Sequence, residues 1–364
     1  MSSVAGRVLL PAGWVEGRLE FEEDRIARFV PDRAPARYVV PGFIDLHVHG
    51  GAGGDCMTGE EAARTTARFH ASHGTTRMLL ATVTAPEEEL TRALDGIHTV
   101  MQDPGEGEAR VMGAHLEGPF ISPDKLGAQP PYARDPDPQE VRRLMAHASI
   151  QVVTLAPERP GALDLIRFLR AHGVRPQVGH TLASASEAKA ALDAGAKGFT
   201  HLYNAMSPLH HRDPGAVGAA FAYATWAEII ADGLHVDPLA VRAALRAVPN
   251  LYLVTDAVAA AGMPEGAYRL GRYTVHKRED GVFLEDGTLA GSALTMDRAL
   301  QNLVDWGLDL AEAVRRVSTL PARYMGWADL GELREGAQAD LVVLDGDLRV
   351  EEVHVGGRRV FARA

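Results

Sequence analysis

The segment PGFIDLHVHGGAGG, residues 41–54, begins as an apolar strand and ends as a glycine-rich loop. His47 and His49 lie one residue apart near the end of that strand. Side chains alternate across a strand, so both imidazoles point to the same face. Two imidazoles on one face can bind a single metal ion. The alternative is that one histidine packs in a core and the other is there by coincidence, because motifs this short often occur by chance.

Seven further apolar segments follow, and helical segments separate most of them. Several helical segments end in glycine, for example SASEAKAALDAG, residues 184–195, as helix C-termini often do. Eight strands that alternate with helices predict an α/β fold, a TIM-like (β/α)8 barrel, and a doubly wound open sheet is the alternative. The eight candidate strands are residues 42–48, 76–83, 110–118, 150–157, 175–181, 197–204, 227–236 and 250–257.

The two ends of the chain consist of short strands separated by turn residues, and neither end can bury much apolar surface alone. Residues 1–40 and 331–364 are therefore predicted to form one small β-sandwich domain, since chain termini are often close in space. Residues 41–330 then form the barrel domain. The segment YTVHKREDGVFLEDGTLAG, residues 273–291, predicts hairpin strands inserted after the eighth barrel strand.

The composition is typical of a globular protein, with 364 residues of which 46% are hydrophobic and 23% are charged. The formal net charge of −11 argues against binding to nucleic acid or acidic lipid, so an anionic substrate needs local cations. The only cysteine is Cys56, which excludes an internal disulfide and fits a cytoplasmic location. We expect no signal peptide and no membrane-spanning segment, because no apolar run is long enough.

Histidines and carboxylates collect at the carboxyl ends of the predicted strands. In a (β/α)8 barrel those ends meet at one rim, where active sites lie. Imidazole and carboxylate are good ligands for Zn²⁺ or Fe²⁺, so we expect a divalent metal at the rim. Each residue alone has a structural explanation, such as a helix cap, but coincidence at so many strand ends is a poor explanation of the set. Its members, in chain order, are His47, His49, Glu117, His180, His201, His235 and Asp256.

These residues and the segments around them resemble the amidohydrolase superfamily of metal-dependent hydrolases, and within it the N-acetylglucosamine-6-phosphate deacetylase family. The resemblance covers nearly the whole chain and is carried by PGFIDLHVHG, GAHLEGPFISPDKLGAQ, VGHT, THLYNAMSPLHHRDPG, ADGLHVD, LVTDAVAAAG and TLAGSALTM. It implies hydrolysis of the acetamide of N-acetylglucosamine 6-phosphate to glucosamine 6-phosphate and acetate. It also implies a homodimer and a TIM-like barrel with a small β-domain.

The resemblance further assigns roles to single residues. Asp256 matches the catalytic acid and base, and Arg212 matches an arginine that reaches the neighbouring subunit's site. From its position on the same strand face, two residues before Glu117, His115 is interpreted as an inner support or as a hydrogen-bond donor behind the ligands, and not as a ligand. The metal ligands implied for one or two ions are Glu117, His180 and His201 at the first position, and His47 and His49 at the second.

A sugar phosphate would also meet a set of substrate-binding residues. Gln129 stands where some members of the family have a histidine, and glutamine can donate a hydrogen bond but cannot carry a proton charge. The complete set is Ala128, Gln129, Asn204, Ala205, Arg212, His235, Leu289, Ala290 and Gly291.

Two other functions stay open from the sequence. Another superfamily member, such as a deaminase or an isoaspartyl dipeptidase, would combine metal-dependent hydrolysis with a different pocket. A non-catalytic scaffold would have lost ligands or the proton carrier, and none of them is missing here. Members that bridge two metals through a carboxylated lysine carry it late in the fourth strand, and the segment VVTLAPE, residues 152–158, contains no lysine.

Overall fold

The structure is a computed structural model that describes residues 2–279 and 281–363. The chain begins with antiparallel strands in which alternate side chains, such as those of Val4 and Val8, are buried in a small core. This alternation is the period of a strand with one face covered. The strands are β1 (Ser2–Leu10), β2 (Gly13–Glu22) and β3 (Arg25–Pro31), which pair antiparallel, and β4 (Tyr38–Pro41), which runs parallel to β1.

Eight parallel strands follow, and each lies within or overlaps a segment that the sequence predicts as a strand. The first is β5 (Phe43–Val48), and a short ladder of β6 (Gly50–Gly51) and β7 (Gly54–Asp55) comes after it. The other seven are β8 (Thr75–Thr82), β9 (Arg110–Glu117), β10 (Ile150–Leu155), β11 (Arg175–Val178), β12 (Gly198–Phe199), β13 (Trp226–Ile230) and β14 (Asn250–Val254).

Hydrogen bonds join six of these strands into a parallel sheet, in the order β5, β8, β9, β10, β11 and β12. The other two, β13 and β14, pair with each other. The ring closes because β12 packs beside β13 and β14 packs beside β5. Val48 of β5 also forms a parallel bridge with Ala257, just after β14. An open doubly wound sheet would not return to its first strand, and the arrangement is that of a TIM-like barrel, as predicted.

Ten α-helices lie in the described part of the chain, and most of them connect barrel strands. One of them, at residues 185–194, has a capping box between Ser184 and Glu187, and Gly195 ends it in a left-handed conformation. The helices are α1 (Glu60–Ser72), α2 (Glu87–Gln102), α3 (Pro138–Leu144), α4 (Ala162–Ala171), α5 (Ala185–Ala194), α6 (Gly215–Tyr223), α7 (Pro238–Ala247), α8 (Met296–Asp305), α9 (Leu310–Val317) and α10 (Thr319–Met325).

An antiparallel sheet follows the last barrel strand, where the sequence predicts hairpin strands. It contains β15 (Gly266–Leu270), β16 (Tyr273–Arg278) and β17 (Gly281–Phe283). The last two strands fall within the predicted segment, and β15 precedes it. The hairpin prediction is confirmed, and the insertion is one strand longer than expected.

The carboxyl-terminal strands β18 (Leu341–Leu344), β19 (Val350–Val355) and β20 (Arg358–Ala362) join β1 to β4 in one seven-stranded sheet. Strand β4 connects the two ends of the chain because it pairs with both β1 and β18. The termini therefore share one sheet, while the two-layer sandwich and the domain boundaries stay predictions. None of the helices in the described residues is long and apolar enough to cross a membrane.

Candidate active site

The carboxyl ends of the barrel strands bring together the side chains that the sequence singles out for metal binding. His47 lies in β5 and Glu117 ends β9. The remaining ligands lie just beyond the ends of their strands, as expected for a barrel rim. These side chains form two buried groups, and within each group the ligand atoms lie within 4.8 Å of one another. The first group is His47, His49 and Asp256. The second group is Glu117, His180 and His201.

The carboxylate of Glu117 lies between the two groups. Its Oε1 is 2.9 Å from Nε2 of His201 and 3.1 Å from Nε2 of His180. Its Oε2 is 3.3 Å from Nε2 of His49, which belongs to the other group. One carboxylate is thus placed to contact ions in both positions.

The two imidazoles of the first motif face the same space, as the alternation along β5 predicts. Nε2 of His47 and Nε2 of His49 are 3.1 Å apart. Oδ1 of Asp256 lies 3.1 Å from Nε2 of His49 and 3.6 Å from Nε2 of His47. Two imidazole nitrogens this close must share either a proton or a metal ion, because both are otherwise acceptors.

Three of these residues have a left-handed backbone. The angle φ is 46° at His180, 29° at His201 and 51° at Asp256. Residues other than glycine rarely adopt such angles, which cost about 1–3 kcal/mol each and are concentrated at functional sites. The backbone N–H of Asp256 donates to the carbonyl of His47 at 2.9 Å, so the first and last barrel strands hold this conformation together.

Four carboxylates in and around the site are buried, and their charges need compensation. Among the described residues none of them forms a salt bridge with a lysine or arginine, and their partners are imidazoles, amides, hydroxyls and backbone N–H groups. Burying a carboxylate without a cation is costly. Divalent ions in the two ligand groups would supply the missing charge. The four are Asp45, Glu117, Glu228 and Asp256.

The protonation of the site reflects this excess of negative charge. Burial lowers the pKa of His49, but hydrogen bonds to Asp256 and Glu117 outweigh it and raise the pKa to about 9. Burial alone would raise the pKa of Asp256, but the charge of His47 and the hydrogen bond from His49 hold it at about 2. Because the pKa of His49 is raised, a metal that binds there would have to displace a proton.

His115 is committed to hydrogen bonds, as its interpretation as an inner support requires. Its Nδ1 is 3.1 Å from the carbonyl oxygen of Leu46, and its Nε2 is 2.7 Å from Oγ1 of Thr154. His115 is close enough to His47 and Glu228 to complete a third group of metal ligands. Because both of its ring nitrogens already have partners, this group lacks a free nitrogen from His115.

A cavity of about 370 Å³ opens onto the two ligand groups. Its wall includes His49, Glu117, His180, His201 and Asp256. All but two of the predicted substrate-binding residues line it as well. The residues that do so are Ala128, Gln129, Asn204, Ala205, His235, Leu289 and Gly291.

The two exceptions are Ala290 and Arg212. Ala290 is fully buried between Leu289 and Gly291. Arg212 is exposed, and its Nη1 lies 2.7 Å from Nε2 of His211. Arg212 does not line the cavity of its own chain, so its predicted contact with phosphate requires another subunit and stays a prediction.

Sequence reasoning missed several contacts around the cavity. Lys125 lines the cavity, and its carbonyl oxygen is 2.7 Å from Nδ1 of His180. The amide of Gln129 donates to Oε2 of Glu117, while its Oε1 accepts from the backbone N–H of Thr84 at 2.6 Å. The available signal was that Lys125 falls within GAHLEGPFISPDKLGAQ, one of the segments that carry the family resemblance.

Comparison with known proteins agrees with this geometry. Residues 38–360 match the model of the amidohydrolase family. An N-acetylglucosamine-6-phosphate deacetylase of Vibrio furnissii is 40% identical over 334 residues, which cover 90% of this chain and 84% of that protein. An N-acetylgalactosamine-6-phosphate deacetylase of Escherichia coli O157:H7 is 39% identical over 368 residues, which cover 97% of each protein.

A solved structure extends the similarity to the whole fold. It is a mutant N-acetyl-D-glucosamine-6-phosphate deacetylase from Mycobacterium smegmatis in complex with N-acetyl-D-glucosamine-6-phosphate. The two chains are 36% identical, and the superposition has a TM-score of 0.92 and covers 99% of both.

Proposed function

The chain belongs to the amidohydrolase family, and from that premise we propose that it hydrolyses the acetamide of N-acetylglucosamine 6-phosphate. The products are glucosamine 6-phosphate and acetate. One observation carries the proposal. A single cavity is lined both by ligands of the two groups, namely His49, Glu117, His180, His201 and Asp256, and by segments that resemble those that bind a sugar phosphate.

The metal is a divalent ion, Zn²⁺ or Fe²⁺, because imidazole and carboxylate donors suit both. Glu117, His180 and His201 hold one ion, and His47 with His49 provide a second position. When bound, the metal supplies Lewis-acid polarisation of the acetyl carbonyl and lowers the pKa of a water molecule. The buried carboxylates without lysine or arginine partners support occupancy of both positions.

Asp256 carries the proton of the reaction. Its carboxylate lines the cavity, where it accepts a proton from the attacking water. The same carboxyl group then returns the proton to the leaving amine, so one residue acts as base and then as acid. Asp256 also has a left-handed backbone, a strained conformation that is concentrated at functional sites.

The phosphate group orients the substrate and does not react. Lys125 lines the cavity and provides positive charge from the same chain, and His235, whose Nδ1 lies 2.6 Å from Oδ2 of Asp232, lines it as well. Arg212 adds a planar guanidinium, which binds two phosphate oxygens at once, from the other subunit of a homodimer. Apolar side chains on the loops after β11, β12 and β13 support such an interface, since Leu182, Leu209 and Leu234 are about half exposed.

A second candidate substrate is N-acetylgalactosamine 6-phosphate. The observation in its favour is the Escherichia coli O157:H7 relative, which is 39% identical over 97% of both proteins. The two sugars differ in the configuration of one ring hydroxyl. The same metal ligands and the same Asp256 serve either sugar, so the choice lies in the residues that line the sugar.

The test compares acetate release from both phosphorylated sugars and from unphosphorylated N-acetylglucosamine, with the metal content of the same sample measured. A nucleoside and an isoaspartyl dipeptide, assayed in parallel, report the other hydrolase activities. We expect a phosphorylated sugar to be the best substrate. Hydrolysis of the nucleoside or the dipeptide alone would contradict the proposal. The proposed location is the cytoplasm, where the unpaired, buried Cys56 stays reduced.

A further inference from the structure

Glu228, in the middle of β13, is a fully buried carboxylate that the proposed reaction does not use. We infer that Glu228 is a positioning residue that orients the imidazole of His47 and thereby allows the position of His47, His49 and Asp256 to hold an ion. This inference rests on the metal-dependent reaction proposed above. It concerns the protein's capacity for a second ion and not the identity of the sugar.

The first observation is the hydrogen bond between the two side chains. Oε2 of Glu228 lies 3.2 Å from Nδ1 of His47. On the other side of the ring, Nε2 of His47 lies 3.1 Å from Nε2 of His49. A proton on Nδ1 that is donated to the carboxylate leaves the lone pair on Nε2, where a metal can bind.

The second observation is that Glu228 is itself held in place. Its Oε1 accepts hydrogen bonds from Nε2 of Gln177 at 3.0 Å and from the hydroxyl of Tyr252 at 3.1 Å. Gln177 is fixed in turn, because its Oε1 accepts from Oγ1 of Thr200 at 2.7 Å. The carboxylate therefore has one orientation, and it transmits that orientation to His47.

The third observation connects Glu228 to the other ligand group. Its Oε2 is also 3.4 Å from the backbone N–H of His201, which belongs to the group of Glu117 and His180. This contact is longer than the contact to His47, and the ring of His201 does not depend on it. Loss of Glu228 should therefore affect the position of His47 more than the position of His201.

Two other roles for Glu228 explain the structure less well. It is not positioned to complete an ion site with His115, since both nitrogens of His115 already have partners. A carboxylate that only filled the barrel core would be unfavourable, because a glutamine could accept the hydrogen bonds from Gln177 and Tyr252 without burying a charge. The remaining contact is to Nδ1 of His47, and a glutamine that kept the other two through its oxygen would turn its amide N–H₂ toward that nitrogen.

The experiment titrates metal-free protein with Co²⁺ and follows the number of ions bound, their affinities and the visible absorption of each bound ion. The variant is Glu228→Gln. The matched control is Tyr324→Phe, which removes the hydroxyl that Gln177 contacts at 3.0 Å without altering a group that contacts Glu228. Circular dichroism of the metal-free proteins reports folding.

We expect the wild type and Tyr324→Phe to bind two ions per chain. Glu228→Gln should bind the first ion with unchanged affinity and the second 10- to 100-fold more weakly, the usual effect of removing a partner behind a metal-binding histidine. Glu228→Asp keeps the charge but shortens the side chain, and it should lower the affinity for the same ion.

Several results would overturn the inference. Two ions bound to Glu228→Gln with wild-type affinity would show that His47 needs no orienting carboxylate. An equal loss of affinity for both ions would also contradict it. So would failure of the metal-free variant to fold, or a wild type that binds only one ion. The titration contains no substrate, so inactivity of the wild type on both sugars would refute the proposed reaction without affecting this result.

Discussion

Replacement of Arg212 by alanine tests how the phosphate group is recognised. The guanidinium is exposed, contacts the ring of His211 and lies outside the cavity of its own chain. Its loss should therefore change the free energy of unfolding by no more than about 0.5 kcal/mol. If it binds phosphate, each charge-assisted hydrogen bond contributes about 1.5–3 kcal/mol, which corresponds to a roughly 10- to 150-fold rise in KM per bond.

The assay measures acetate release from the phosphorylated sugar and from unphosphorylated N-acetylglucosamine. Arg212→Ala should raise KM for the first substrate and leave the kinetics with the second nearly unchanged. The thermal unfolding of the variant serves as the control for stability. An unchanged KM for the phosphorylated sugar would refute the role of Arg212 in binding phosphate.

Mixing of subunits tests whether Arg212 acts across a dimer interface. Arg212→Ala subunits are exchanged with Asp256→Asn subunits, which carry an intact arginine. If Arg212 acts in the partner's site, each mixed dimer has one site with both defects and one intact site, so random mixing in a two-fold dimer restores about a quarter of all sites. Activity no higher than the average of the two variants would refute the shared site and leave the phosphate role in place.

The remaining predictions concern the metal ligands, the proton carrier Asp256 and the cavity residue Lys125. Glu117→Gln removes the carboxylate that contacts both ligand groups, so metal analysis should find most metal lost and the assay nearly no turnover; full metal content at full rate would contradict this role. Asp256→Asn should keep its fold and at least one ion but lose about 10²- to 10⁴-fold in kcat, the usual contribution of general acid–base catalysis, and a kcat near the wild type would exclude it as proton carrier. Replacement of both His47 and His49 by asparagine should remove one ion per chain from a two-ion protein, whereas unchanged metal content would make the pair structural. Lys125→Ala should raise KM for the phosphorylated sugar alone, and an equal effect on unphosphorylated N-acetylglucosamine would show that Lys125 does not contact phosphate.

The convergence of the ligands could be predicted from the sequence because it follows from topology. Once eight strands alternate with helices, the residues at their carboxyl ends must meet at one rim. Glu117 ends β9, and His180 and His201 follow their strands by two residues each, so an error of one or two residues in a strand boundary does not move them from the rim. The strand β12 is only two residues long, whereas the segment predicted for it, residues 197–204, has eight.

The contacts that support the ligands could not be predicted in the same way. The alternation along β13 is compatible with an inward-facing Glu228, but its partners His47, Gln177 and Tyr252 come from three other strands. Their meeting depends on the register and closure of the barrel, which no local pattern encodes. For Arg212 the limit is of another kind, because the site that it is proposed to complete belongs to a second chain.

The measurement that tests the central claim most directly is acetate release from N-acetylglucosamine 6-phosphate by the purified protein, with the bound metal quantified in the same sample. A cavity lined by ligands of both groups, Asp256 among them, predicts turnover that disappears when the metal is removed and returns when Zn²⁺ or Fe²⁺ is added back. N-acetylgalactosamine 6-phosphate, measured beside it, identifies which of the two sugars is preferred. A metal-loaded protein that releases acetate from neither sugar, or one that releases it equally well without metal, would contradict the account.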